Sequence, residues 1–382
     1  MAIGALEGVK VIDLTGLLPG QFCSGMLADH GADVVVVEAP RFKNDSVIGE
    51  IPMVRRNKRH LALDLKSAEG KEVFFRLVSR ADVCIEGFRP GVAQRLGVGY
   101  EQVSGENPRI VYCSLTGYGQ TGPLAKRAGH DLNYMAFAGM LDLSRDNLGV
   151  PVVPNFQMAG LSGSLYAVIG ILMALLSRPA TGLGQHVDVS ITDGLVSLLP
   201  LPLTAAFSGN SLPGRADSTG RDRFPCYDVY QTRDNEFLSV GPLEPHLWVS
   251  LCNKLGFPQY ASLQYDPNSR DEIASALRRL FLTRDLDDWL EFLSSDDDCV
   301  APVRRVTDLA RDPHLQARDM LPIAGGGIPQ PGVAPKLMGT PGAVRRPAYR
   351  FGEHSREILE ELGYSPERIE ELRSKGVVLV AT

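Results

Sequence analysis

The chain has 382 residues, 44% of them hydrophobic and 22% charged, with a formal net charge of −6. About two to three domains fit such a length, which excludes a small disulfide-stapled scaffold, and no stretch is polar and biased enough for extended disorder. The acidic balance argues against a broad nucleic-acid-binding face, so any basic site is local.

Six cysteines, at 23, 84, 113, 226, 252 and 299, stand far apart with no C-x-x-C pair. They read as reduced, mostly buried thiols, as in a cytoplasmic protein. Met1 to Gly8 lacks the basic start and apolar core of a signal peptide, so nothing directs export.

Val9 to Leu14 reads as a strand, followed by a turn at Gly16 to Gly20 and a helix over Cys23 to His30. The Val run of Ala32 to Val37 suits a parallel strand buried on both faces. The alternation continues with Gly70 to Ser79 (helix), Asp82 to Ile85 (strand), Arg89 to Leu96 (helix) and Ile110 to Ser114 (strand). This pattern predicts an α/β, doubly wound parallel sheet. Leu161 to Leu176 is apolar but falls short of the roughly 20 residues that cross a bilayer, so it reads as a buried helix and no membrane is expected. A turn at Thr181 to Gly184, a strand at His186 to Ser190 and a helix from Ile191 follow.

Gly, Ser, Pro and charge between Ser208 and Asp222 mark a linker. Beyond it, a hairpin over Tyr227 to Val240 and helices at Pro245 to Leu255, Arg270 to Leu282 and Leu286 to Leu293 form a smaller α+β unit. The chain then turns rich in Gly and Pro up to Pro347 and ends on helix-forming Ser355 to Leu362 and Pro366 to Lys375. The expected organisation is a large domain over 1–205, a linker over 206–223, a small domain over 224–320, and a return segment, 321–382, that completes the large domain.

Gly117-Tyr118-Gly119-Gln120-Thr121-Gly122 follows a strand as a dinucleotide fingerprint does, but the fingerprint needs a helix to open there. Pro123 and an aperiodic stretch come next, which argues against NAD and for a tight glycine loop near another ligand. Arg55, Arg56, Lys58 and Arg59 precede the strand-like Leu61 to Leu65, and Arg89 and Arg95 surround the turn at Phe88-Arg89-Pro90-Gly91. A solvated face and a phosphate site near βα turns both remain open. His130 and Asp131 put an imidazole beside a carboxylate at a loop-to-helix entry, for capping or for chemistry. No histidines are paired at metal-site spacing, so no metal is expected. The absence of G-x-S-x-G and of a P-loop argues against hydrolase and nucleotidase chemistry.

Together these pieces resemble the class III (formyl-CoA type) CoA-transferases, which include the α-methylacyl-CoA racemase branch. The matching text includes Gly8-Val9-Lys10-Val11-Ile12-Asp13-Leu14, Leu27-Ala28-Asp29-His30-Gly31-Ala32-Asp33-Val34, Leu61-Ala62-Leu63-Asp64-Leu65-Lys66, Glu86-Gly87-Phe88-Arg89-Pro90-Gly91-Val92 and Cys299-Val300-Ala301-Pro302-Val303. The resemblance implies a Rossmann-like large domain built from both chain ends, an inserted small domain and two chains interlocked as a dimer. It implies coenzyme A contacts at Leu63, Asp64, Lys66, Phe88, Arg89, Arg95 and Gly129, and a phosphate contact after the strand-ending acid, where Glu38 is followed by Ala39 and the basic Arg41 comes later.

Gly129-His130-Asp131-Leu132-Asn133-Tyr134 and Leu243-Glu244-Pro245 look like the racemase branch. There the resemblance gives His130, with Asp131 at its side, an acid–base role on the α-proton of an acyl-CoA, and gives Glu244 the task of holding the imidazole. Tyr134, Met135 and Phe137 suggest an apolar acyl pocket. The family's second acid, an Asp before the long apolar helix, falls on Ala159, or on Gly160 in a register shifted by one, and neither can attack a carbonyl or accept a proton. The leading expectation is CoA transfer between an acyl-CoA and a carboxylic acid, by a subunit whose Asp-containing paralogue supplies the acid. A stand-in carboxylate such as Asp142 or Asp146, racemase-like one-base chemistry by His130 with Glu244, an engineered substitution and a non-catalytic CoA-binding subunit would each account for the gap as well. The chain is thus expected as a homodimer or a heteromer.

Overall fold

The computed structural model describes residues 4–42, 52–146, 148–209, 223–324, 327–348 and 350–380. Two compact units emerge: Met1–Ala138 with Asn155–Ser197 and Asp312–Thr382, and Gly139–Pro154 with Leu198–Arg311. Residues 210–222, most of the expected linker, lie outside the described residues.

A seven-stranded sheet forms the first unit. Its parallel strands are β1 (Lys10–Asp13), β2 (Asp33–Glu38), β3 (Lys58–Leu63), β4 (Val83–Glu86), β5 (Val111–Thr116) and β6 (His186–Ser190). They lie in the order β3-β2-β1-β4-β5-β6, and Val378–Leu379 runs antiparallel against β3 at the edge. β1 pairs on one side with β2 (Lys10↔Asp33) and on the other with β4 (Val11↔Val83). The strand order therefore reverses between β1 and β4, and a crevice opens at the carboxyl ends of strands at such a point.

The helices that position this crevice are α1 (Leu18–Asp29), α2 (Ala68–Val78), α3 (Val92–Leu96), α4 (Asp131–Phe137), α5 (Met158–Thr181) and α6 (Ile191–Ser197). α1 starts five residues earlier than the sequence suggests, because Pro19 in the first turn is compatible with a helix start. α3 starts three residues later, because Pro90 precedes Gly91, whose φ of +86° belongs to the left-handed region. Ser67 caps α2 by accepting a hydrogen bond from Gly70 N at 3.0 Å.

α5 extends beyond the apolar stretch Leu161 to Leu176 at both ends and is only partly buried, where a buried helix is expected. It has 24 residues, long and apolar enough to cross a bilayer, and only 44% of its most apolar window is buried. One face, with Ala167, Ile171 and Ala174, is buried, while Leu165, Ile169, Met173 and Leu176 are exposed.

The second unit has a three-stranded antiparallel sheet, Asp228–Gln231, Phe237–Val240 and Val300–Pro302. The helices Pro245–Lys254, Arg270–Phe281 and Leu286–Phe292 contribute to a core around Tyr230, Trp248, Phe281 and Trp289. Both buried indoles are satisfied: Trp248 Nε1 donates to Tyr260 O at 3.0 Å and Trp289 Nε1 to Phe281 O at 2.8 Å.

Candidate active site

A cleft of about 390 Å³ lies at the switch point of the sheet, lined by the loops after β1, β4 and β5 and by the first turns of α4 and α5. Each wall has a local cause.

The β1 wall, Thr15 to Gly20, stands on a buried polar frame. Asp13 accepts from Thr15 N at 2.8 Å, Thr15 Oγ1 at 2.6 Å and Gln21 Nε2 at 3.1 Å, and also from the Ser24 hydroxyl. Lys58 Nζ donates to Ser24 Oγ at 2.6 Å and to Gln21 O at 2.7 Å. Burial pulls the Lys58 ammonium down to about 8, against the opposing pull of Asp13. Ser164 Oγ donates to Pro19 O at 2.6 Å and ties this wall to α5.

The β4 wall is Gly87 to Pro90. Glu86 is buried beneath it, and its Oε2 accepts from Phe88 N at 2.7 Å. Burial pushes the Glu86 carboxyl up, against the hydrogen bonds it accepts from Ser114 and Phe88. Arg89 on this wall and Arg95 on α3 are exposed, with no ion-pair partner among the described residues.

The β5 wall is the glycine loop. No helix opens there; the next begins at Asp131. A Cβ at Gly117 would fall 2.3 Å from the Tyr134 ring, so glycine lets Tyr134 pack against the loop, where its hydroxyl donates to Gly129 O at 2.5 Å. Thr116, 7% exposed, carries a buried Oγ1 with no hydrogen-bond partner.

The fourth wall is Ala125 and Arg127 to Asp131. His130 is exposed at the N-cap of α4, and its backbone N–H donates to Asn133 Oδ1 at 3.0 Å. Asp131 Oδ1 accepts from Gly160 N, in the first turn of α5, at 2.8 Å.

Of the residues singled out in the sequence, Phe88, Arg89, Gly117, Gly129, His130, Asp131 and Tyr134 line this cleft. Leu63, buried, ends β3, and Asp64 and Lys66 form the turn after it, with Lys66 N donating to Asp64 Oδ1 at 3.0 Å. Arg41 is exposed on the single turn Pro40–Phe42 after β2. Glu244 belongs to the second unit, as the exposed N-cap of the helix Pro245–Lys254. Met135 is buried and Phe137 is exposed, and neither lines the cleft.

The first cationic cluster is neither a solvated face nor a phosphate site. Arg55, Arg56, Lys58 and Arg59 are all buried. Arg55 pairs with Glu38 at 2.9 Å, Arg56 with Asp29 at 2.7 Å and Arg59 with Asp33 at 2.6 Å and Glu361 at 2.7 Å. Burial pushes the Glu38 carboxyl up, but His60 and Arg55 outweigh it and hold the group below its ordinary value. As a framework, these pairs join β2 and β3 to neighbouring segments.

The two expected positions for the second acid also separate. Ala159 is fully buried, whereas Gly160 lines the cleft. Asp142 and Asp146 belong to the second unit, where Asp142 pairs with Arg145 and Asp146 Oδ1 accepts from Leu148 N and Val150 N, both at 2.9 Å. Sequence reasoning missed Thr116, Arg127, Gln157 and the start of α1 from Leu17 to Gly20; only the switch-point rule for open α/β sheets points to that helix start.

The family model for CoA-transferase family III matches residues 6–355, and the chain belongs to this family. It is 35% identical to the α-methylacyl-CoA racemase of Homo sapiens, over 98% of this chain and 97% of that protein. It is 32% identical to the succinyl-CoA–L-malate CoA-transferase β subunit of Chloroflexus aurantiacus, over 98% of each. Among solved structures, a CAIB/BAIF family protein from Brucella suis shares 27% identity with a TM-score of 0.81, covering 95% of this chain and all of that one. These relatives support an enzyme of this family, whose substrates are CoA thioesters.

Proposed function

We propose that the chain binds an acyl-CoA across the switch-point cleft and that His130 moves a proton at the α-carbon of the acyl group. The observation that carries this reading is the cleft wall itself. His130 and Asp131 stand there side by side, while Gly160, one of the two positions for a nucleophilic acid, offers only a hydrogen and Ala159 only a buried methyl. Arg89 and Arg95 are the cations for the CoA phosphates, since neither is used in an ion pair among the described residues. Leu63 at the end of β3, Asp64 and Lys66 on the turn after it and Arg41 on the turn after β2 extend the same edge of the sheet towards the nucleotide. The acyl group is the α-methylated class of the racemase relative.

A second reading is favoured by one relative's name. The transferase from Chloroflexus aurantiacus is a β subunit, so CoA transfer by a heteromer whose paralogue supplies the acid would account for the empty positions 159 and 160. We read the chain as a dimer in either case, through the exposed face of α5, and as cytoplasmic.

The test is incubation of the purified chain in deuterated water with racemic 2-methylacyl-CoA and a set of acceptor acids. Deuterium at the α-carbon with CoA left on its original acid is the expected result. CoA moved to an acceptor without deuterium overturns the α-proton reading.

A further inference from the structure

We propose that Asp131 is the second acid–base group of this cleft, working on the opposite face of the acyl α-carbon from His130. The inference rests on the α-proton reading above and assigns the group that this reading lacks.

Asp131 is the one carboxylate among the residues that line the cleft. Its Oδ1 is fixed by the Gly160 amide at 2.8 Å, which leaves Oδ2 without a partner among the described residues. Gly160 yields the space: a Cβ there would meet Pro19 Cγ at 3.0 Å and Asp131 Oδ1 at 3.6 Å. A side chain at 160 would therefore start out towards the very carboxylate already present.

Two further features fit. His130, the extended N-cap with φ −125° and ψ 178°, ends the incoming loop, and Asp131 is the first residue of α4, so the imidazole and the carboxylate enter the cleft wall from two adjoining pieces of structure. In the same cleft Thr116 Oγ1 is buried without a partner, which costs stability unless a ligand satisfies it. The cleft thus holds an unused hydroxyl for a polar substrate atom and two proton carriers on adjacent residues of one wall.

The proton balance closes within the site. Asp131 as carboxylate takes the α-proton, and the C–H electron pair passes into the thioester enolate. His130 as imidazolium then gives its proton to the other face of the same carbon. The centre is inverted, and the enzyme is left with a protonated Asp131 and a neutral His130, ready for the opposite enantiomer.

A merely structural Asp131 would cap α5 and do no more. Asp131→Asn separates the two roles, because the amide oxygen still accepts from Gly160 N but cannot hold an α-proton. The experiment measures initial deuterium uptake from water into each enantiomer of 2-methyloctanoyl-CoA by wild type, Asp131→Asn and His130→Gln. Wild type should label both enantiomers. Asp131→Asn should lose labelling of one enantiomer by about 10²-fold or more and keep the other within a few-fold, and His130→Gln should show the reverse preference. Wild-type rates for both enantiomers in Asp131→Asn, or an equal loss for both, overturn the assignment. Should circular dichroism show Asp131→Asn unfolded, Asp131→Ser, which also keeps an oxygen acceptor, takes its place. A wild type that labels neither enantiomer overturns the α-proton reading itself, a result visible before any variant is compared.

Discussion

Lys58 Nζ lies 3.7 Å from Asp13 Oδ2, and both side chains are wholly buried. An ammonium held there stays charged only because Asp13, Ser24 and Gln21 surround it, and the same groups hold the Thr15 to Gly20 wall in place. With a folded value of about 8 against 10.5 for the free group, the unfolded chain keeps a proton that the folded chain has lost between these two pH values. This residue's contribution to stability therefore rises with pH across that window and is constant below it. The difference in Tm between wild type and Lys58→Met should grow in favour of wild type from pH 8 to pH 10, and a pH-independent difference would contradict the assignment.

Arg95→Ala and Arg89→Ala should each weaken CoA binding several-fold, because charge-assisted contacts to phosphate are roughly twice as strong as neutral ones. Both guanidiniums are exposed, so the loss should shrink as salt is raised. Titration calorimetry at two ionic strengths checks this, and an unchanged Kd would remove Arg95 or Arg89 from the site.

Gly117→Ala should displace Tyr134. The added methyl would sit 2.3 Å from the ring, and overpacking of this kind costs about 1–3 kcal/mol. A lower Tm together with weaker acyl-CoA binding is the expected pair of results; unchanged values for both would show that the glycine loop adapts at no cost.

No acyl-enzyme should form. Val150 to Ile169, where the family's nucleophilic Asp is expected, contains no Asp or Glu, and Asp131, the one carboxylate lining the cleft, is assigned to proton transfer rather than to attack on the thioester carbonyl. Hydroxylamine trapping with acyl-CoA, read by mass spectrometry of the intact chain, should leave the protein unmodified. A trapped carboxylate would establish the transferase chemistry and locate its nucleophile by peptide mapping.

The chain should be a dimer or a larger assembly at micromolar concentration. Leu165, Ile169, Met173 and Leu176 recur on one side of α5 at helical spacing and stay exposed while the other side packs inward. Light scattering should report the assembly, and Met173→Glu should weaken it; a wild-type monomer would leave this stripe without its partner.

How far the sequence could be read depended on whether a feature is local. The Val run of β2 and the alternation of strands and helices announce the parallel sheet through side-chain periodicity alone. The wall at Gly129, His130 and Asp131 is one contiguous string, so it could be read as a unit. Arg55 to Arg59 could not, because their carboxylate partners Glu38, Asp29, Asp13 and Asp33 lie on other elements, and spacing carries no information about such pairing. The role of Gly160 was hidden for the same reason: its neighbour Asp131 is 29 residues away and meets it only through the packing of α4 on α5.

The antiparallel edge strand Val378–Leu379 and its preceding helices set the order in which the molecule is made. Arg59 reaches Glu361 across 302 residues of chain, and Leu63 pairs with Val378. On a ribosome, β3 therefore waits exposed at its edge while the whole inserted unit is synthesised. That unit draws its core of Tyr230, Trp248, Phe281 and Trp289 from a contiguous stretch, so it can collapse first. Contacts that close long loops form slowly, which makes the unpaired flank of β3 the surface on which nascent chains are most exposed to misassociation.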